Sequence, residues 1–239
     1  MDVDKRRIPD SRQPNFDPLA GAYRWMEYFT FGTILERCRF QFLQECCESR
    51  QALILGDGDG RFTARLFATN PVLRADAIDL SPAMLNQLIR RVKCTKTDCT
   101  SAQQPKEIRL RTICADVRHF RPEAAEYDLI VSHFLLDCLT DRDVEDLLRN
   151  VIPRLAPKSL WLISEFSVPE KGWRRMAARL LIHWLYFVFR KTTHLNVRQI
   201  PDYAAALTSY GFSRRQRASF LGGILSAEIW ERMTFSQNS

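Results

Sequence analysis

The chain has 239 residues, of which 46% are hydrophobic and 26% charged, with a formal net charge of +7. That is enough apolar material for one large domain with a real core, which excludes a disordered chain. The positive balance suits an acidic partner (nucleic acid, anionic lipid or an acidic substrate), and it serves solubility equally well.

In chain order, residues 1–14 read as a polar, flexible tail. A helical cap over 15–50 follows, with apolar residues at helical spacing and a break near Thr30–Gly32. The period then changes. Short apolar runs at 52–55, 73–80, 108–116, 127–134 and 159–166 alternate with helical segments at 61–69, 81–92 and 141–155. Ser81 and Asp141 are the expected N-caps of the last two helices. This alternation predicts parallel βαβ units, hence an α/β, doubly wound, mostly parallel seven-stranded sheet with helices on both faces. The polar stretch 93–107 reads as a surface loop. A basic, aromatic helix is expected over 171–191, a further helix over 200–210, and two late strands near 212–219 and 224–232 as an antiparallel closing edge. No linker or repeat divides the chain, so 15–239 is taken as one domain, its core at 51–170 and its substrate-side helices and closing strands at 171–239.

The seven cysteines contain no CxxC pair. Zinc is therefore not expected, nor any other metal, and Cys114 and Cys138 read as small buried residues. The polar opening residues do not resemble a leader, and a reducing cytoplasm is the expected location. The longest apolar run, Leu180 to Phe189, is too short to span a bilayer.

The chemistry concentrates in "LILGDGDGRF", Leu53 to Phe62. Gly56, Gly58 and Gly60 follow a predicted strand and precede a predicted helix, the setting of a ligand-binding turn. A triphosphate-binding loop needs GxxxxGK[ST], which is absent. A dinucleotide turn needs GxGxxG, and its third glycine position is taken by Arg61. Asp57 and Asp59 would also repel a pyrophosphate by about 1–4 kcal/mol per close pair at moderate dielectric. A calcium loop starting at Asp57 fails because Arg61 stands at a ligand position and no glutamate stands at position twelve. A cationic, phosphate-free nucleoside fits instead.

At these residues the sequence resembles the class I S-adenosylmethionine-dependent methyltransferases, with their Rossmann-like fold, and looks closest to the ubiquinone/menaquinone branch. The resemblance spans roughly residues 16 to 231. "DAIDLSPAML" resembles the segment in which an acid, here Asp79 followed by Leu80, holds the ribose hydroxyls. "ICADVRHF" resembles the segment in which Asp116 would accept from the adenine amino group while Val117 packs on the ring. "YDLIVSHFLLDCL" resembles the fourth strand and its exit, with Ser132 facing the cofactor. "LWLISEFSVP" resembles the fifth strand. "FDPLAGAYRWME" resembles the N-terminal cap, where Tyr23 would close over the cofactor. One departure stands out: the family carries an acid two residues before the first glycine, and this chain has Ile54. Asp57 or Asp59 is the expected substitute.

Methyl transfer is an in-line displacement at a sulfonium carbon, governed by alignment and, for a protic nucleophile, by a base. His133, at the end of the fourth predicted strand, is the first candidate base. Asp137 and Glu165 are weaker ones, and Asp137 has the alternative role of capping the next helix. Nucleic acid is the less favoured substrate: the strand end reads "SHFL" rather than [DN]PP[YF], and no cysteine follows a proline. The segment 173–191 sets aromatic residues between arginines, which suits a small hydrophobic or lipid-like acceptor, or peripheral membrane contact. A non-catalytic binding or scaffold protein that kept the fold is the other reading. The acceptor, the atom methylated and the oligomeric state are not legible.

Overall fold

A computed structural model describes residues 33–94, 109–123, 126–167 and 201–233. Tyr23, most of the expected cap, nearly all of the polar stretch 93–107 and the basic aromatic segment 171–191 lie outside the described residues. In chain order the elements are α1 (Ile34–Phe40), β1 (Gln51–Leu55), α2 (Arg61–Thr69), β2 (Arg74–Asp79), α3 (Pro82–Cys94), β3 (Leu110–Cys114), β4 (Tyr127–His133), α4 (Asp141–Val151), β5 (Leu155–Phe166), α5 (Tyr203–Ser209), β6 (Phe212–Phe220) and β7 (Leu225–Arg232). Short 3-10 turns cover Leu43–Cys46, Leu136–Cys138 and Ile152–Arg154.

The seven strands form one sheet in the order β3-β2-β1-β4-β5-β7-β6. Strands β1 to β5 are parallel, and β7 pairs antiparallel to both β5 and β6. The expected closing edge is present, with β7 inserted between β5 and the outer strand β6. The strand order reverses beside β1, which lies between β2 and β4. Ligands of open α/β sheets gather outside the carboxyl ends at such a switch point.

The central strands alternate cleanly between two cores. Ala52, Ile54, Leu129 and Val131 join Leu35 of α1, Phe62 and Leu66 of α2, and Leu88 and Val92 of α3 on one face. Leu53, Leu55, Ile130 and Trp161 join Val144, Leu147 and Leu148 of α4 and Leu207 of α5 on the other. Each strand is apolar on both sides because each side is covered, as parallel sheets require.

Two local expectations need correction. The N-cap of α4 is Thr140, not Asp141: Thr140 is extended, Asp143 N–H donates to its Oγ1, and Thr140 N–H donates back to Asp143 Oδ2. Asp141 instead accepts from Asp202 N–H at 2.8 Å, tying α4 to the start of α5. Strand β5 begins at Leu155, before the expected start at 159, because the chain around Pro157 pairs irregularly with β4, its register shifting between Tyr127 and Leu129. Ser81 does cap α3, its Oγ accepting from Met84 N–H at 3.3 Å. Cys114 and Cys138 are half-buried rather than buried, and the fully buried thiols are Cys38 and Cys46.

The turn after β1 is fixed by packing. Gly56 N–H donates to the Ile78 carbonyl, closing the turn onto β2. Gly58 and Gly60 both have positive φ, at 59° and 79°. A Cβ on Gly60 would fall 2.6 Å from Leu88 Cα, whereas one on Gly58 would meet nothing within 4 Å. Gly60 therefore lets α2 and α3 touch, and Gly58 faces open space. Gly60→Ala is expected to destabilise the fold by about 2–5 kcal/mol through clash and strain. Gly58→Ala should cost only about 1–2 kcal/mol, from strain alone. Denaturant unfolding of both variants checks the contrast.

Candidate active site

The carboxyl ends of β1, β2, β3 and β4 bring most of the sequence-predicted residues to one rim. Leu55 pairs with Ile78 and with Ser132, and Asp79 pairs with Cys114. The glycine turn, Asp79, Asp116 and His133 thus follow adjacent strand ends.

The two acids of the turn differ sharply. Asp59 Oδ1 accepts from Arg61 Nε at 3.0 Å and Oδ2 from Arg91 Nη2 at 2.8 Å, while its carbonyl accepts from Arg91 Nε. Its charge is spent binding α2 to α3. Asp57 is buried, and its Oδ2 accepts from Thr63 N–H at 2.9 Å and Thr63 Oγ1 at 2.7 Å. Its Oδ1 is buried with no hydrogen-bond partner among the described residues. Burial pushes the Asp57 pKa up, against Arg39 and the Thr63 bonds.

Asp79 ends β2 half-buried, and its Oδ1 accepts from Ser81 N–H at 2.8 Å. Burial pushes its carboxyl up to about 6. The next carbonyl, that of Leu80, accepts from Cys114 Sγ. Asp116 accepts from Arg118 N–H and from the Arg118 guanidinium, both at 3.0 Å. Burial raises its pKa, but the Arg118 contacts together outweigh burial and hold it below the usual carboxylate range. Val117 is buried in the core of the α4 face.

Ser132 does not line the rim. It shares its face with Ile130 and is fully buried, its Oγ accepting from Trp161 Nε1 at 3.0 Å. Strand alternation sends it into the core, so its expected contact with the cofactor is corrected to a structural one. His133 points to the opposite face and is 3% exposed, its ring edge-on to Phe62 with centroids 4.5 Å apart. Both ring nitrogens lack hydrogen-bond partners among the described residues. Burial, aided by the nearby charge of Arg39, lowers its pKa well below the ordinary value.

Beyond His133 the chain turns through Phe134 at φ 54°, a left-handed conformation rare for such a residue. Glu165, fully buried at the end of β5, anchors that turn: its Oε1 accepts from Leu135 N–H at 3.0 Å and Leu136 N–H at 2.7 Å. Asp137 follows within the 3-10 turn Leu136–Cys138, so it does not cap α4. Burial pushes its carboxyl up to about 6. Burial also raises Glu165 well above its ordinary value, and the neighbouring Asp137 adds to the rise. Sequence reading missed Arg39, a buried arginine of α1 whose guanidinium lies 5.7 Å from the Phe134 ring centroid and whose charge acts on Asp57 and His133. A lone arginine in an amphipathic helix carries no sequence signal for such a place. Among the described residues, no group of three metal-ligating side chains is present, and no helix is long and apolar enough to cross a membrane.

A carboxyl whose folded pKa is raised binds its proton more tightly when folded, so stability falls as pH rises between the two values. For Asp79 that window runs from about 4 to about 6 and amounts to about 3 kcal/mol. Asp79→Asn should therefore reduce the drop in melting temperature between about pH 4.5 and about pH 7. Thermal melts at the two pH values check this.

Residues 52–158 match a family model described as a methyltransferase domain. No curated protein matches the sequence. Among solved structures, the N-methyltransferase NodS from Bradyrhizobium japonicum WM9, in complex with S-adenosyl-L-homocysteine, shares 17% identity over 84% of each chain, at a TM-score of 0.55. The mitomycin 7-O-methyltransferase MmcR is 17% identical at a TM-score of 0.65, covering 91% of this chain and 60% of its own. The pyocyanin biosynthetic protein PhzM is 15% identical at 0.61, covering 90% and 59%. The chain thus spans about three-fifths of the length of the last two. The sheet that contains residues 52–158 has the Rossmann-like fold of these methyltransferase structures.

Proposed function

We propose that this chain transfers the methyl group of S-adenosylmethionine to a small, apolar acceptor whose nucleophilic atom loses a proton. The observation that carries this reading is the open cradle over Gly58, flanked by Asp79 and Asp116 at successive strand ends. Asp116 is already paired with Arg118, so Asp79 is the carboxylate that favours a phosphate-free nucleoside over a phosphate-bearing one. Asp79 would hold the ribose hydroxyls, and Asp116 with Val117 the adenine. When bound, S-adenosylmethionine supplies an electrophilic methyl group on a sulfonium.

The protein's own work is to orient the acceptor, exclude water and take up its proton. Asp137 suits the last task better than His133. His133 is neutral, weakly basic and enclosed by Phe62, whereas a carboxyl with a pKa of about 6 is ionised near neutral pH and still basic. Glu165 would hold the turn that presents Asp137. The size of the acceptor is supported by the named relatives, which include an enzyme acting on mitomycin. A lipid-like acceptor and membrane contact through 173–191 rest on the sequence alone, as does the likeness to the ubiquinone/menaquinone branch, which the comparisons do not favour. Nucleic acid lacks a supporting feature at the strand end.

Incubating the protein with methyl-labelled cofactor and a metabolite extract should label a small apolar product. Failure to transfer label to any component would favour a scaffold that kept the fold. On an identified acceptor, kcat/KM should rise with pH through about 6, as Asp137 loses its proton. Asp137→Asn should remove that limb and lower kcat by roughly 10²–10⁴-fold. An unchanged profile in the variant would place the base elsewhere.

A further inference from the structure

The acid that the family resemblance puts two residues before the first glycine is absent: Ile54 stands there, fully buried in the sheet. The turn offers two other carboxylates. Asp59 is held by Arg61 and Arg91 and faces the helix pair. Asp57 keeps one oxygen for Thr63 and leaves the other buried and unmatched among the described residues. A buried carboxylate oxygen without a donor is costly, and such groups persist where a ligand completes them. A second unmatched group lies on the neighbouring strand end, since both nitrogens of His133 are buried without partners among the described residues. The charge of Arg39, from α1, acts on both. The unmatched oxygen belongs to the residue next to Gly58, which faces open space, and a carboxylate there suits an ammonium.

We propose that Asp57 replaces the missing acid: its Oδ1 receives the ammonium of the cofactor's amino-acid end. The proposal rests on the cofactor assignment above. It gives the turn's unusual acid a role distinct from that of Asp59, which is structural. Thr63 serves as the support that aims Asp57, since its two donors fix Oδ2 and so orient Oδ1.

The test compares two ligands by calorimetry on the full chain. S-adenosylhomocysteine carries the amino-acid end, and 5′-methylthioadenosine lacks it. Asp57→Asn keeps an acceptor for Thr63 but turns an amide donor or a neutral oxygen toward the ammonium. It should weaken S-adenosylhomocysteine by about ten-fold or more, the usual loss for a charge-assisted hydrogen bond, and leave 5′-methylthioadenosine within about two-fold. Asp57→Ser provides the same comparison should the asparagine variant fold poorly. Equal weakening of both ligands, or of neither, would overturn the role given to Asp57. Wild-type protein that binds neither ligand would overturn the cofactor assignment itself.

Discussion

The backbone of Gly60 lies against Leu88 so closely that a single added carbon would come within 2.6 Å of the facing Cα. This contact locks the first turn of α2 onto α3, and α3 follows directly from β2. The end of β2 carries Asp79, so the same contact sets where that carboxylate stands relative to the glycine turn. Arg91, reaching from α3 to both the side chain and the carbonyl of Asp59, adds a second tie across the same joint. Fixing the floor in this way leaves Gly58 facing open space, with Asp59 on one side of it already committed to Arg61 and Arg91.

Burial raises the carboxyls of Asp57, Asp79, Asp137 and Glu165 together, so the rim gathers acids that are costly to ionise. Strained and under-satisfied groups concentrate where a protein binds or reacts, and the left-handed Phe134 beside Glu165 fits that pattern. Asp76 is well matched by contrast: it receives both a two-pronged arginine contact from Arg111 and the hydroxyl of Tyr127.

Much of this was legible in the sequence because hydrophobic period and glycine position are local signals. The five parallel strands, the helices at 61–69 and 81–92, and the glycine turn itself could be read from residues a few positions apart. What escaped depends on partners far along the chain. Whether Asp59 or Asp57 is available is decided by Arg91, thirty-two residues away, and by Thr63. Ser132 looked like a rim residue until strand alternation paired it with Trp161 from another strand. Thr140 and Asp141 are both acceptable caps by residue type, and the reach of Asp202 decided between them. The insertion of β7 beside β5 is a choice of topology that no local pattern encodes.

Competitive calorimetry of the purified chain against S-adenosylhomocysteine, NADH and ATP tests most directly whether this acid-lined turn selects a phosphate-free sulfur nucleoside. The account predicts saturable uptake of S-adenosylhomocysteine, undiminished by an excess of either phosphate-bearing nucleotide. Tight binding of NADH or ATP, with S-adenosylhomocysteine ignored, would contradict it.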